Sequence, residues 1–306
     1  MSDNQQPGKQ YKTEWSFSFE KLGDQIGEFF RSVGSGEDVE VKTERFTDVV
    51  GDATSARVRL DLSAGESNIY MLQDSDKLID AEITYIGEMR FAHDGTPEKV
   101  VSLSQVTSPG EWFRHALTWL SKRGEQNQLR WNVGLSPNLP IDLDIHGGVG
   151  ECDFSLATLK PGKVTMNGGT GEIDVVLPAS PELYTASING GVGELDVKIP
   201  AGASVNLTVR AGTGEVDLDI GDGAAVDITV HGGVGEVQVH LPADAAVRVE
   251  GKAGIGDISV PARLARLSGS DEFFGKSGVW QSVNYETAER KITVRYHGGV
   301  GALVVR

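Results

Sequence analysis

A β-solenoid is the fold class that this sequence predicts: a mainly β, single-stranded β-helix-like stack of ~21-residue coils, with an N-terminal β region and two amphipathic helices. Two observations carry it. First, a Gly-x-Gly motif, followed by an acid in all but the last instance and clearest in Gly191-Val192-Gly193-Glu194, sets its second glycine at 150, 171, 193, 214, 235, 256 and 301. The steps are 21 or 22 residues until a last gap of 45, which is expected to hold about two units. Second, apolar residues alternate with polar ones on both sides of every motif, the period of a strand with one buried face.

The chain then divides in order. Residues 1–13 are polar and expected to be a disordered tail. Residues 14–35 predict an amphipathic helix, with Leu22, Ile26, Phe29, Phe30 and Val33 at helical spacing between 17 and 33. Residues 36–110 predict strands: Val58, Leu60 and Leu62 alternate before Gly65-Glu66, and Ala81, Ile83 and Tyr85 before Gly87-Glu88. The two Gly-Glu pairs are 22 residues apart, so degenerate coils of the same repeat are expected there. Residues 111–124, with Trp112, Phe113, Ala116, Leu117 and Leu120, predict a second helix that caps the open end of the stack.

Residues 125–306 are the repeat proper. In the strand after each motif the inward columns are Cys152, Ile173, Leu195, Val216, Val237, Ile258, Leu303 and Phe154, Val175, Val197, Leu218, Val239, Val260, Val305. Prolines 178, 200, 242 and 261 end these strands, because proline has no amide hydrogen to donate. The returning strand supplies Leu143, Val164, Ala186, Leu207, Ile228, Val249 and Val294. Units this alike are expected to stack in register, one after another, ~4.8 Å apart. A β-sandwich with hairpins at the Gly turns is the alternative. Residues 262–290 interrupt the pattern as an insertion or a degenerate coil, in which Phe273, Phe274 and Trp280 are either an exposed recognition loop or a cover folded over the end.

Charge excludes more than it identifies. The net charge is −16, and residues 141–260 hold 18 acidic against 6 basic side chains. Nucleic acid is therefore not an expected partner, since phosphates need Lys and Arg. One cysteine excludes an internal disulfide framework. No apolar run approaches ~20 residues, so no transmembrane segment is expected. Peripheral membrane contact is left to residues 17–33, and the expected location is cytoplasmic or peripheral to the inner membrane.

The candidate interaction residues are two outward acidic columns: Glu151, Glu172, Glu194, Glu215, Glu236, and Asp153, Asp174, Asp196, Asp217. In-register stacking would set like charges ~5 Å apart, at a cost of ~0.8 kcal/mol per pair in water and several-fold more beside a low-dielectric wall. A basic partner surface, a cation, or hydration and salt would offset it. The residue before each double glycine forms a third column: His146, Asn167, Asn189, Arg210, His231, Lys252 and His297. Its histidines are not expected to ligate one ion, because four coils span ~19 Å and a ligand sits at ~2.1 Å. Cys152 lies in an inward column and reads as a small buried hydrophobe. No catalytic constellation, cofactor motif or metal set is expected, and the protein is expected not to be an enzyme. Every coil repeats the same acids, whereas a catalytic carboxylate pair is singular.

Trp131-Asn132-Val133, Pro140 to Ile145, GGVGECDFSLATLKPGKVTMNGGTGEIDVVLP and the closing NYETAERKITVRYHGGVGALVV resemble the bacterial toast-rack and LiaF-like envelope-stress proteins and the adhesin-type domains akin to them. The likeness covers roughly residues 55–306. It implies a non-enzymatic β-solenoid engaged in sensing or protein contacts at the cell envelope, and it brings no catalytic residues. LiaF-like proteins carry N-terminal membrane helices, which this sequence lacks. The leading expectation is an interaction or regulatory module that presents an acidic face to an unidentified protein. The alternatives are a surface adhesin or cation-binding protein, and a self-assembling scaffold.

Overall fold

The computed structural model describes residues 41–106, 129–270 and 275–306. The two expected helices, at 14–35 and 111–124, lie outside the described residues, as do Phe273 and Phe274. Every described element is a strand.

The middle of the molecule follows the repeat. Four strands after the Gly turns, β9 (Val149–Ser155), β11 (Thr170–Val176), β13 (Val192–Ile199) and β15 (Thr213–Ile220), pair in parallel in a front sheet. The strands before those turns, β8 (Pro140–His146), β10 (Lys160–Asn167), β12 (Tyr184–Asn189) and β14 (Ser204–Arg210), do the same in a back sheet. Register is residue on residue: Cys152, Ile173, Leu195 and Val216 are successive partners. Parallel pairing rules out hairpins at the turns, and with them the sandwich. Between the sheets the inward columns form one core, with Phe154, Leu177, Ile199, Val209 and Ile228 almost fully buried.

The glycines show why the units must stack this closely. The second glycine of each turn has a φ of +135° to +146°, which L side chains rarely adopt. A Cβ on Gly171 would lie 2.0 Å from the Gly150 carbonyl oxygen, and one on Gly193 1.9 Å from that of Gly171. Backbone therefore rests on backbone along the whole edge.

The same contacts reveal an order that the repeat conceals. Gly301 rests on Gly235, and Gly256 rests on Gly301. The last coil, β22 (Ile292–His297) and β23 (Leu303–Val305), is inserted between the coil of β16 (Ala225–His231) and β17 (Val237–His240) and that of β18 (Val247–Lys252) and β19 (Ile258–Ser259). The 45-residue gap does not hold two coils. It holds β20 (Ala265–Ser270) and β21 (Ser277–Gln281), which extend the back sheet antiparallel beyond β18, and the chain then doubles back. Insertion is possible because β22 offers the same inward spacing as its neighbours, with Val294 between Ile228 and Val249. The Tyr296 side chain packs on Gly298 and Gly232, where a Cβ would lie 2.7 and 3.1 Å from it.

The other end departs as well. β2 (Ser55–Asp61) and β3 (Glu66–Met71) form a true coil beside β8 and β9. β6 (Glu98–Val106) and β7 (Arg130–Leu135) form another outside it, so here too sequence order and stacking order differ. The Gly87 turn does not belong to the repeat. It joins β4 (Lys77–Ile86) to β5 (Glu88–Asp94), which run antiparallel to β7 and β6. β1 (Val41–Val49) closes the front sheet antiparallel to β4. Antiparallel strands reverse the chain at the end of a parallel stack, so this layer works as a terminal cap.

Candidate functional site

The outer face of the front sheet carries the two acidic columns. Glu151, Glu172, Glu194 and Glu215 occupy successive layers, with Glu236 at the next bend. Asp153, Asp174, Asp196 and Asp217 follow two residues on, and Gln238 takes the fifth place. The strand alternation that buries Cys152, Leu195 and Val216 turns these side chains to solvent.

The middle of the face is electrostatically strained. The Asp196 carboxyl is pushed up to about 6 by partial burial first, then by the charges of Asp174, Asp217 and Glu194 and a hydrogen bond with Asp174. Asp217 Oδ1 is buried without a hydrogen bond, 3.8 Å from His240 Nε2. Gln238 donates to Glu215 Oε1 at 2.7 Å. Among the described residues no lysine or arginine forms an ion pair with Glu172, Glu194, Asp174 or Asp196. Beside the aspartates lies an open groove of about 470 Å³, lined by Asp174, Asp196, Lys198, Asp217, Asp219 and His240 among others.

Three of these carboxylates converge. Oxygens of Glu194, Asp196 and Asp217 lie within 4.8 Å of one another. A calcium ion takes six to eight oxygens, so three monodentate carboxylates would supply at most half a shell and leave the rest to water. The chemistry this face offers is charge recognition of something cationic.

Two other predicted features are also placed. Of the two readings of Trp280, the structure places it as a cover over the stack. It is 6% exposed, points inward from β21 opposite Val249, and has the Arg266 guanidinium 5.7 Å over its ring. Strand alternation puts it on the core side, where it covers the stack. The histidine column also has another order: His297 stands between His231 and Lys252 and stacks on His231 at 5.5 Å. Earlier in that column Asn189 donates to Asn167 at 2.7 Å and Arg210 to Asn189 at 3.3 Å. Cys152 is buried, and its thiol is pushed up to about 11 by desolvation, opposed by a hydrogen bond to Ser67.

Sequence reasoning missed the adjacency of His231 and His297, since nothing in the repeat records an inserted coil. It also missed a column of exposed apolar residues between the turn glycines, although Val192, Val234 and Val300 stand in the motif itself.

The chain belongs to the toast-rack family: the family described as the N-terminal domain of toast_rack, DUF2154, matches residues 32–198 and 194–261. No curated protein matches it. A candidate cell adhesion protein from Clostridium sporogenes is 18% identical, with a TM-score of 0.42 over 87% of this chain and 99% of its own. A candidate adhesin from Bacteroides fragilis is 12% identical, with a TM-score of 0.35 over 87% and 97%.

Proposed function

We propose that this toast-rack protein is a non-enzymatic interaction module whose front sheet docks a basic protein surface. One observation carries the reading: the acidic columns are held in register in the middle of the stack, and among the described residues no lysine or arginine forms an ion pair with Glu172, Glu194, Asp174 or Asp196. A parallel sheet holds these charges together whether or not anything binds, so a partner bearing lysine and arginine relieves repulsion already present in the free protein. Repetition at ~4.8 Å favours an extended basic partner over a single ion. Toast-rack membership supports a role in contacts at the cell envelope, and the expected location is the cytoplasm or the inner face of its membrane.

The test is charge reversal. Glu172→Lys, Glu194→Lys and Glu215→Lys together should abolish binding of a lysine-rich extended peptide, measured by calorimetry in 50 mM NaCl. Wild-type affinity should fall at least ten-fold at 300 mM NaCl, because exposed charges are screened over about 10 Å or less. Unchanged binding by the triple variant would sink the reading. A rise in melting temperature with millimolar calcium, lost in Asp196→Asn, would instead favour the cation-binding alternative.

A further inference from the structure

We propose that the glycine-rich edge of the stack is a self-association surface that pairs two copies of this chain about a two-fold axis parallel to the stack. The proposal differs from the basic-partner reading in its central contacts, which are apolar and lie off the front sheet's face, while its flank shares Glu172, Glu194 and Glu215 with that reading.

Seven crossings from back to front sheet set one residue between two glycines. In stacking order these are Val149, Thr170, Val192, Thr213, Val234, Val300 and Ile255. They pair backbone to backbone in an unbroken column. Val192 is 56% exposed, Val234 54%, Ile255 50% and Val300 48%. Turn tips usually carry Asn, Asp, Ser or Gly. Here four tips, Val192, Val234, Val300 and Ile255, are exposed aliphatics over about 19 Å of the stack, with Thr213 between the first two, and the glycines beside them have no side chains to shield them or to keep another backbone away.

The flanks say what fits. Three residues before each tip runs the column Asn167, Asn189, Arg210, His231, His297 and Lys252. Two residues after each tip runs Glu172, Glu194, Glu215 and Glu236, with Ala302 and Asp257 in the last two layers. Each turn thus bears an amide, cation or imidazole on one side and, in all but one of these layers, a carboxylate on the other. A second copy rotated about an axis along the stack lays ridge on ridge at equal height. It then sets Arg210 against the second copy's Glu215, His231 against its Glu236 and Asn189 against its Glu194. A two-fold axis across the stack would set carboxylates on carboxylates, so charge selects the parallel arrangement. An interface of this kind closes on itself and stops at two copies. The contact is one column of tips with a single column on each flank, so a weak dimer is expected, with a dissociation constant on the order of 10–100 µM.

Sedimentation velocity of the full chain from 5 to 500 µM in 50 mM NaCl tests this. A monomer–dimer equilibrium is expected, weakened at least ten-fold by Val192→Ser with Val234→Ser, which leaves every carboxylate in place and so spares basic-peptide binding. Arg210→Glu and Glu215→Arg should each weaken the dimer, and the two together should restore it, since each contact is simply exchanged between copies. A monomer at 500 µM, a dimer indifferent to the valine changes, growth beyond two copies, or a double charge swap weaker than either single change would each overturn the proposal.

Discussion

The middle of this stack and its C-terminal end are built from the same residues in the same columns, yet they are put together differently. Between β8 and β15 each coil rests on its neighbour in sequence. At the end, β22 and β23 slide between coils that precede them. Charge follows the same division. The ends are ion-paired: Arg248 with Glu250, Lys276 with Asp257 and Arg295 with Asp227 at one end, and Arg45 and Lys77 with Asp80 and Lys99 with Asp48 at the other. There the Arg45 hydrogen bond, with Lys77 behind it, holds the Asp80 carboxyl down at about 2. In the middle of the front sheet Asp196 is pushed the opposite way, to about 6. One β scaffold thus carries compensated charge where the chain must close its ends and uncompensated charge where a surface is free. That contrast separates what holds the fold from what is available to a partner.

The strongest way to break the contrast is to remove residues 291–306. An ordinary solenoid loses only its last coil when its C-terminus is cut. Here the cut empties an internal layer that contributes Ile292, Val294, Tyr296, Leu303 and Val305, all nearly buried. At about 1.5–3 kcal/mol for each buried side chain, the loss is on the order of 10 kcal/mol, and it also strands β18 to β21 without support. Protease resistance of the region beyond residue 236 should vanish, while the coils from β8 to β15 keep theirs. A truncated chain as resistant as wild type would show that the inserted coil is not structural.

A smaller effect compares single turns. Gly193→Ala and Gly256→Ala each meet a carbonyl oxygen of the adjoining coil, at 1.9 and 1.6 Å, with φ of +135° and +146°. Forced φ and overpacking together cost about 2–5 kcal/mol. In the middle the clash separates two halves of the stack, so Gly193→Ala should lower the main unfolding transition. Gly256→Ala should leave that transition in place and speed amide exchange only around β18, β19 and β23.

How much of this was readable in the sequence follows from the same division. Columns such as Cys152, Ile173, Leu195 and Val216 are dictated by packing in every coil, so they recur and can be aligned by eye. The acidic columns follow from them by alternation. The stacking order could not be read, because Val294 fits between Ile228 and Val249 as well as it would beyond them. Gly87 misled for a related reason: Gly-Glu also serves a reversal, where no coil exists. Trp280, among glycines and polar residues, could be read as exposed or as a cover, and its antiparallel pairing with Val249 turns it inward.

The gentlest test reads the strain of the middle directly. Asp196 binds its proton more tightly folded than unfolded, about 6 against a usual value of 3.8. Between those values the native state holds a proton that the unfolded state has released, so stability falls as pH rises through that window and stays lower above it. Asp196→Asn removes the penalty. It should raise the melting temperature at pH 7.5 by about 2–4 °C, the equivalent of roughly 1 kcal/mol, and the gain should shrink towards zero by pH 4. The matched change on an ion-paired end, Asp80→Asn, should do the reverse at pH 7.5, because it leaves Arg45 and Lys77 without their partner. If both variants shift the melting temperature in the same direction, the middle and the ends do not differ in the way their charges are held.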